Sequence, residues 1–247
     1  MRVHFVVHES FEAPAAFEEW ATDRGHQIGH SRLYAGEALP DTIDAIDMLV
    51  VMGGPQTPDT TLAECPYFDA RAERGLIAAC VDADRAVIGV CLGAQLIGEA
   101  LGARYERSPE TEIGNFSITL TAEGLASDRF AGTARTFHVG HWHNDMPGLT
   151  TDSKVLATSA GCPRQIVEYG PFVYGFQCHM EFNRAVVEAL IDGSADELVA
   201  HSQRRFVQQP EELRRNSYAA MNDTLFRFLD RLTADYCAIT GARHASR

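Results

Sequence analysis

The chain has 247 residues, of which 45% are hydrophobic and 22% charged, so a sizeable core can be buried and wholesale disorder is excluded. Its 34 acidic against 21 basic residues give a formal net charge of −13, which argues against a nucleic-acid binder or a domain held on an anionic membrane surface. No run of about 18 apolar residues offers a membrane span, and the single lysine, Lys154, lies outside any P-loop pattern.

The amino terminus reads as a strand, Arg2–His8, and lacks the apolar stretch and small-residue cleavage site of a secretory leader, so a cytoplasmic protein is expected. Ala16, Phe17 and Trp20 share one face of a predicted helix over Ala13–Asp23. Ile46–Met52 is an apolar strand that stops at Gly53-Gly54-Pro55. A helix follows over Pro66–Asp82, with Phe68, Ala72, Leu76 and Ala79 nearly in line. Ala86–Val90 is a short β-branched run that enters Cys91-Leu92-Gly93, and Gln95–Leu101 continues as a helix. Apolar strands alternating with helices predict a doubly wound α/β fold, a mainly parallel central sheet flanked by helices.

The middle of the chain changes character. Phe116–Thr121 alternates like a half-exposed strand and leads into the Gly/Ala/Thr-rich Gly124–Arg135. Val155–Ala157, Gln165–Tyr169 and Val173–Gln177 read as further short strands. From Asn183 the pattern is helical, and Met221, Leu225, Phe228, Leu229 and Leu232 form a stripe. The expected organisation is a main domain over 1–190 and a C-terminal helical extension over 191–247, packed on it or on a partner subunit in a homo-oligomer. The six cysteines are scattered with no Cys-x-x-Cys, which predicts reduced thiols, one of them chemically special.

That one is Cys91. A buried strand running into Gly89-Val90-Cys91-Leu92-Gly93 and then a helix is a nucleophile elbow with sulfur in place of oxygen. The helix N-terminus favours a thiolate and offers N–H groups to an oxyanion. The competing reading is a buried small hydrophobe. A base is available in Phe176-Gln177-Cys178-His179-Met180-Glu181: His179 follows an apolar strand, and Glu181, two residues on, can orient it.

Gly89-Val90-Cys91-Leu92-Gly93-Ala94-Gln95 resembles the nucleophile signature of class I glutamine amidotransferases, whose catalytic unit is a Cys-His-Glu triad. The His179 segment is similar to the family's second signature, and Gly53-Gly54-Pro55 to its oxyanion loop. The resemblance covers about residues 1–190 and implies hydrolysis of a glutamine or other γ-glutamyl amide without a cofactor. It assigns Cys91, His179 and Glu181 to catalysis, the N–H groups of Gly54 and Leu92 to the oxyanion, and Gly53, Gln95, Trp142 and His143 to the substrate. It also implies a separate ammonia-accepting synthetase, since the chain carries no recognisable synthetase domain. Met180 stands where the family usually has proline.

Phe137-His138-Val139-Gly140-His141-Trp142-His143-Asn144-Asp145 reads as a histidine-rich loop. Trp142-His143-Asn144-Asp145 falls where the family carries a loop lining the glutamine site. His141, His143 and Asp145 also begin a metal-ligand pattern, although Met146 replaces its closing histidine. Glu112-Ile113-Gly114 resembles a family segment near the active site. The reading expects no metal. Alternatives left open are a stand-alone γ-glutamyl hydrolase or peptidase, a metal-dependent hydrolase using His141, His143 and Asp145, and a catalytically silent binding module.

Overall fold

The computed structural model describes residues 1–245, with side chains through 241. In chain order the elements are β1 (Arg2–Val7), α1 (Ala16–Asp23), β2 (Gln27–Arg32), β3 (Met48–Val51), α2 (Ala70–Asp82), β4 (Ala86–Val90), α3 (Leu92–Ala100), β5 (Glu106–Leu120), α4 (Ala122–Ala126), β6 (Thr136–Met146), β7 (Lys154–Thr158), β8 (Ile166–Gly170), β9 (Val173–Phe176), α5 (Arg184–Gly193), α6 (Ala195–Ala200), β10 (Phe206–Val207), α7 (Pro210–Arg215) and α8 (Ala219–Ala245). They build one sheet in the order β10-β5-β7-β8-β9-β4-β3-β1-β2, with β6 paired to β5 off that path.

The sheet is parallel across β2, β1, β3, β4 and β9. Beyond β9 it turns antiparallel through β8, β7 and β5, and β6 is antiparallel to β5. Connection length decides this: only two residues separate β8 from β9, room for a hairpin but not for a crossover helix.

Successive residues of the central strands point to opposite faces. Phe5, Met48, Val50 and Ile88 join one core, which includes α1 and α8. Val6, Leu49, Val51 and Val87 join the other, under α2 and α3. The predicted stripe on α8 is buried: Met221, Leu225, Phe228, Leu229 and Leu232 are 3% exposed or less. The Phe228 ring lies 5.0 Å from Tyr174 and 5.1 Å from Phe176. Trp20 Nε1 donates to Asp230 at 2.8 Å, tying the first helix to the last.

Three strands escape the sequence pattern, one of them the two-residue β10, which falls in the stretch read as helical from Asn183. β2 is polar because it is an edge strand, paired only to β1. The segment read as a histidine-rich loop is β6, an 11-residue strand. Its partner β5 begins ten residues before the expected Phe116. Pro109, which cannot donate to a ladder, falls within the bulge between Arg107 and Glu112 and hides the alternation.

Candidate active site

β4 delivers Cys91 to the carboxyl end of the parallel strands, at the N-cap of α3. Cys91 has φ 51 and ψ −107, a strained conformation for a residue with a side chain. The flanking glycines are required by space. A side chain on Gly89 would collide with the Gly93 backbone, and one on Gly93 with the Val51 carbonyl. The Cys91 thiol donates to the Trp142 carbonyl at 3.6 Å and accepts from Gln177 Nε2 at 3.4 Å. Burial pushes its pKa up, opposed by His179 and by the Leu92 N–H. The thiolate is therefore favourable only together with an imidazolium.

His179 supplies that imidazolium. Its Nδ1 pairs with Glu181 Oε1 at 2.7 Å, while Nε2 has no hydrogen-bond partner among the described residues. Burial disfavours the charged ring, but Glu181 and the Cys91 sulfur outweigh it and hold the pKa well above the ordinary histidine value. The Phe182 ring stacks on the imidazole at 4.2 Å. Gly140 on β6 exchanges both backbone hydrogen bonds with His179, at 2.8 and 2.9 Å. Around Met180, Asn222 of α8 donates to the Met180 carbonyl at 2.8 Å and to the Phe182 carbonyl at 3.1 Å. A side chain of the last helix thus fixes the turn between histidine and glutamate.

The loop after β3 brings Gly53 and Gly54 to the same cleft. Behind it lies a buried pair: His8 Nε2 is 2.8 Å from Glu73 Oε2, and His8 Nδ1 is 2.8 Å from the Gly53 carbonyl. The Gly53 carbonyl can only accept, so Nδ1 donates to it, and Nε2 faces the Glu73 carboxyl. Burial opposes a positive charge on the ring, but Glu73 and the Gly53 carbonyl raise the pKa of His8 above the usual value.

A cavity of about 310 Å³ opens over Cys91. Gly54, Gln95, Trp142 and His143 line it, as do Glu12, Asp145 and Glu197. Gln95 Nε2 donates to Gln177 Oε1 at 3.2 Å. Trp142 Nε1 and Asn144 Nδ2 both donate to Glu197 of α6, at 2.9 and 3.1 Å, so the cleft wall includes a residue beyond 190. Glu12 is 8% exposed, and burial pushes its carboxyl up to about 7, eased by His179.

The metal-ligand set His141, His143 and Asp145 is not assembled. Asp145 pairs with Arg107 at 3.2 Å, and Glu112 of β5 takes its place beside the two histidines. Ligand atoms of Glu112, His141 and His143 lie within 4.8 Å of one another, so these three could hold a metal ion. Glu112 Oε2 already receives hydrogen bonds from Ser159 at 2.8 Å and Gln165 at 2.6 Å, with His143 Nε2 at 3.2 Å.

The structure therefore brings Cys91, His179, Glu181, Gly53, Gly54, Leu92, Gln95, Trp142 and His143 to one cleft. Sequence reasoning missed His8, Glu12, Glu73, Gln177 and Glu197. Only Gln177 carried a signal, its place two residues before His179 in the second signature.

Residues 17–189 match the family model of class-I glutamine amidotransferases. The chain is 60% identical over 233 residues to the glutamine amidotransferase-like protein YfeJ of Salmonella typhimurium, covering 94% of this chain and 98% of that one. It is 32% identical over 97 residues to a glutamine-hydrolyzing GMP synthase subunit of Pyrococcus abyssi, covering 38% of this chain and 50% of that one. The crystal structure of SMU.1228c superposes with a TM-score of 0.92 at 49% identity, covering 94% of this chain and 100% of that one. A Thermotoga maritima glutamine amidotransferase shares the fold, with a TM-score of 0.82 at 22% identity over 94% of this chain and 97% of that one. On these matches, the chain belongs to the class-I glutamine amidotransferase family.

Proposed function

We propose that the protein hydrolyses the side-chain amide of glutamine, or of a related γ-glutamyl amide, through a thioester on Cys91. The observation that carries this reading is the His179 ring, held through Nδ1 by Glu181 at 2.7 Å, with Nε2 left open among the described residues and the ring coupled to the sulfur of a strained elbow. His179 holds the proton given up by Cys91, and the thiolate sulfur attacks the amide carbon. The carbonyl electron pair moves onto oxygen, where the N–H groups of Gly54 and Leu92 receive it. Collapse breaks the C–N bond, and His179 passes its proton to the departing amine. A water then gives a proton to His179 and attacks the thioester. Cys91 leaves with a proton, and the γ-carboxylate is freed.

With glutamine the departing amine is ammonia. Relatives named as an anthranilate synthase component 2 and as a GMP synthase subunit support handing it to an acceptor on a separate chain. The test is amine release from glutamine and a panel of γ-glutamyl amides, with Cys91→Ala as control. Release by the wild type alone supports the reading. Turnover by Cys91→Ala, or none with any amide, refutes it.

A further inference from the structure

The cavity over Cys91 is lined by three carboxylates, Glu12, Asp145 and Glu197, and among the described residues no lysine or arginine lines it. Two of the three are already matched. Arg107 holds Asp145, and Trp142 and Asn144 hold Glu197. Glu12 differs: its carboxylate has no hydrogen-bond partner among the described residues, it is more than nine-tenths buried, and it faces the cavity. A carboxylate so little exposed to water and matched by no cation is costly, and a substrate that brings a positive charge lowers the cost.

The position of Glu12 says which end of the substrate brings that charge. It packs against Gly53 so closely that a side chain there would collide with the carboxylate. A side chain on Gly53 would also lie 3.4 Å from the Cys91 Cβ. Glu12 thus stands at the Cys91 end of the cleft, where the amide nitrogen departs. We infer that the site takes γ-glutamyl amides whose departing amine carries a second, positively charged nitrogen, and that Glu12 receives that charge. The inference rests on the reading above and narrows its substrate class. Its chemistry is the same: the amide C–N bond breaks, a proton moves from His179 to the departing nitrogen, and the distant ammonium stays charged throughout.

The test compares three amides of similar length with the full-length protein: γ-glutamyl butylamide, its 4-aminobutyl analogue and its 3-carboxypropyl analogue. The aminobutyl amide exceeds the butylamide in kcat/KM by about tenfold to a hundredfold, the range of one charge-assisted hydrogen bond, and the carboxypropyl amide falls below both. In Glu12→Gln the first ratio drops to within about twofold. Because the main comparison is made on the wild type, it does not depend on how well the variant folds. Equal kcat/KM for the three amides, or an unchanged ratio in Glu12→Gln, overturns the inference. A dependence of Glu12 on the substrate's α-amino group alone, seen with des-amino analogues, overturns it as well. Intact-mass detection of the γ-glutamyl adduct separates the two levels. Adducts on Cys91 forming equally with all three amides remove only the specificity, whereas no adduct with any amide, glutamine included, removes the hydrolase reading itself.

Discussion

His8 Nδ1 donates to the Gly53 carbonyl at 2.8 Å, and that bond orients the peptide unit whose N–H belongs to Gly54. In a trans peptide the C=O and N–H point in opposite directions. With the carbonyl turned back to His8, the Gly54 N–H is aimed away from it. Glu73 lies against the other ring nitrogen and favours the protonated ring, which keeps the Nδ1 donor in place.

His8→Asn should therefore reduce kcat and leave KM within about threefold. Losing one oxyanion donor costs about 10²–10³ in kcat, and a donor left unanchored loses part of that. Glu73→Gln should give a smaller loss in the same direction. Steady-state kinetics check both. A rise in KM with kcat unchanged would assign the pair to ground-state binding instead.

Cys91→Ala should lose at least about 10⁴-fold in turnover and keep the fold. A glutamine-shaped electrophile should label Cys91 and spare Cys65, Cys80, Cys162 and Cys178, which are buried away from the cleft. A small general alkylator should also reach the exposed Cys237. Peptide mapping after each reagent distinguishes the two patterns, and a glutamine-shaped reagent found on Cys237 counts against recognition at Cys91.

His179→Ala should lose about 10²- to 10⁴-fold, because both proton transfers pass through its ring. Glu181→Gln should lose less. With the carboxylate gone the imidazolium is no longer favoured, so the acidic limb of the pH–rate profile moves to lower pH. The double variant should resemble His179→Ala alone, since Glu181 acts through the ring it holds. A double variant far worse than His179→Ala would show that Glu181 has a separate role.

Acid should destabilise the protein through His141. Burial pushes its pKa down to about 3, opposed by Glu112, with His143 and His179 also lowering it and the Phe116 carbonyl raising it. Unfolded, the ring takes a proton near pH 6.5. The unfolded chain thus binds the extra proton between pH 6.5 and 3. The contribution of His141 is complete above that window and is lost as pH falls through it, by at most about 1.4 kcal/mol per pH unit. Urea unfolding at pH 7, 5.5 and 4.5 should show a shallower acid loss in His141→Gln.

A chelator should leave amine release unchanged. No step proposed at Cys91 and His179 calls on a metal, and Glu112 Oε2 is already occupied by donors from Ser159 and Gln165. A stoichiometric ion whose removal halts turnover would transfer the chemistry to Glu112, His141 and His143.

What could be read from the sequence is what lies in consecutive residues. Gly89 and Gly93 are glycine because the elbow leaves no room for a side chain, so the motif records the geometry. His179 and Glu181 are two residues apart and meet directly. His8, Glu12, Glu73 and Glu197 meet the cleft only through topology. His8 arrives because β1 pairs with β3 and both strands end together, and Glu197 because α6 returns to β6. No local pattern marks a lone acid or histidine for such a meeting. β6 was hidden for another reason: its alternation is split between Trp142 and Asn144, which hold Glu197, and His141 and His143, which face Glu112.

The bond between Trp20 and Asp230 joins residues 210 apart in sequence. Phe228, two residues earlier in α8, is the surface on which Tyr174 and Phe176 close. During synthesis α1 and β9 emerge well before α8 does, so the apolar faces that α8 covers stay open until that helix leaves the ribosome. The Cys91 N–H donates to the Phe176 carbonyl, at 2.7 Å, on that same late-closing strand. Shaping of the Cys91 turn is thereby tied to the arrival of α8, and a nascent chain stalled before α8 carries the cysteine motif without the helix that backs its supporting strand.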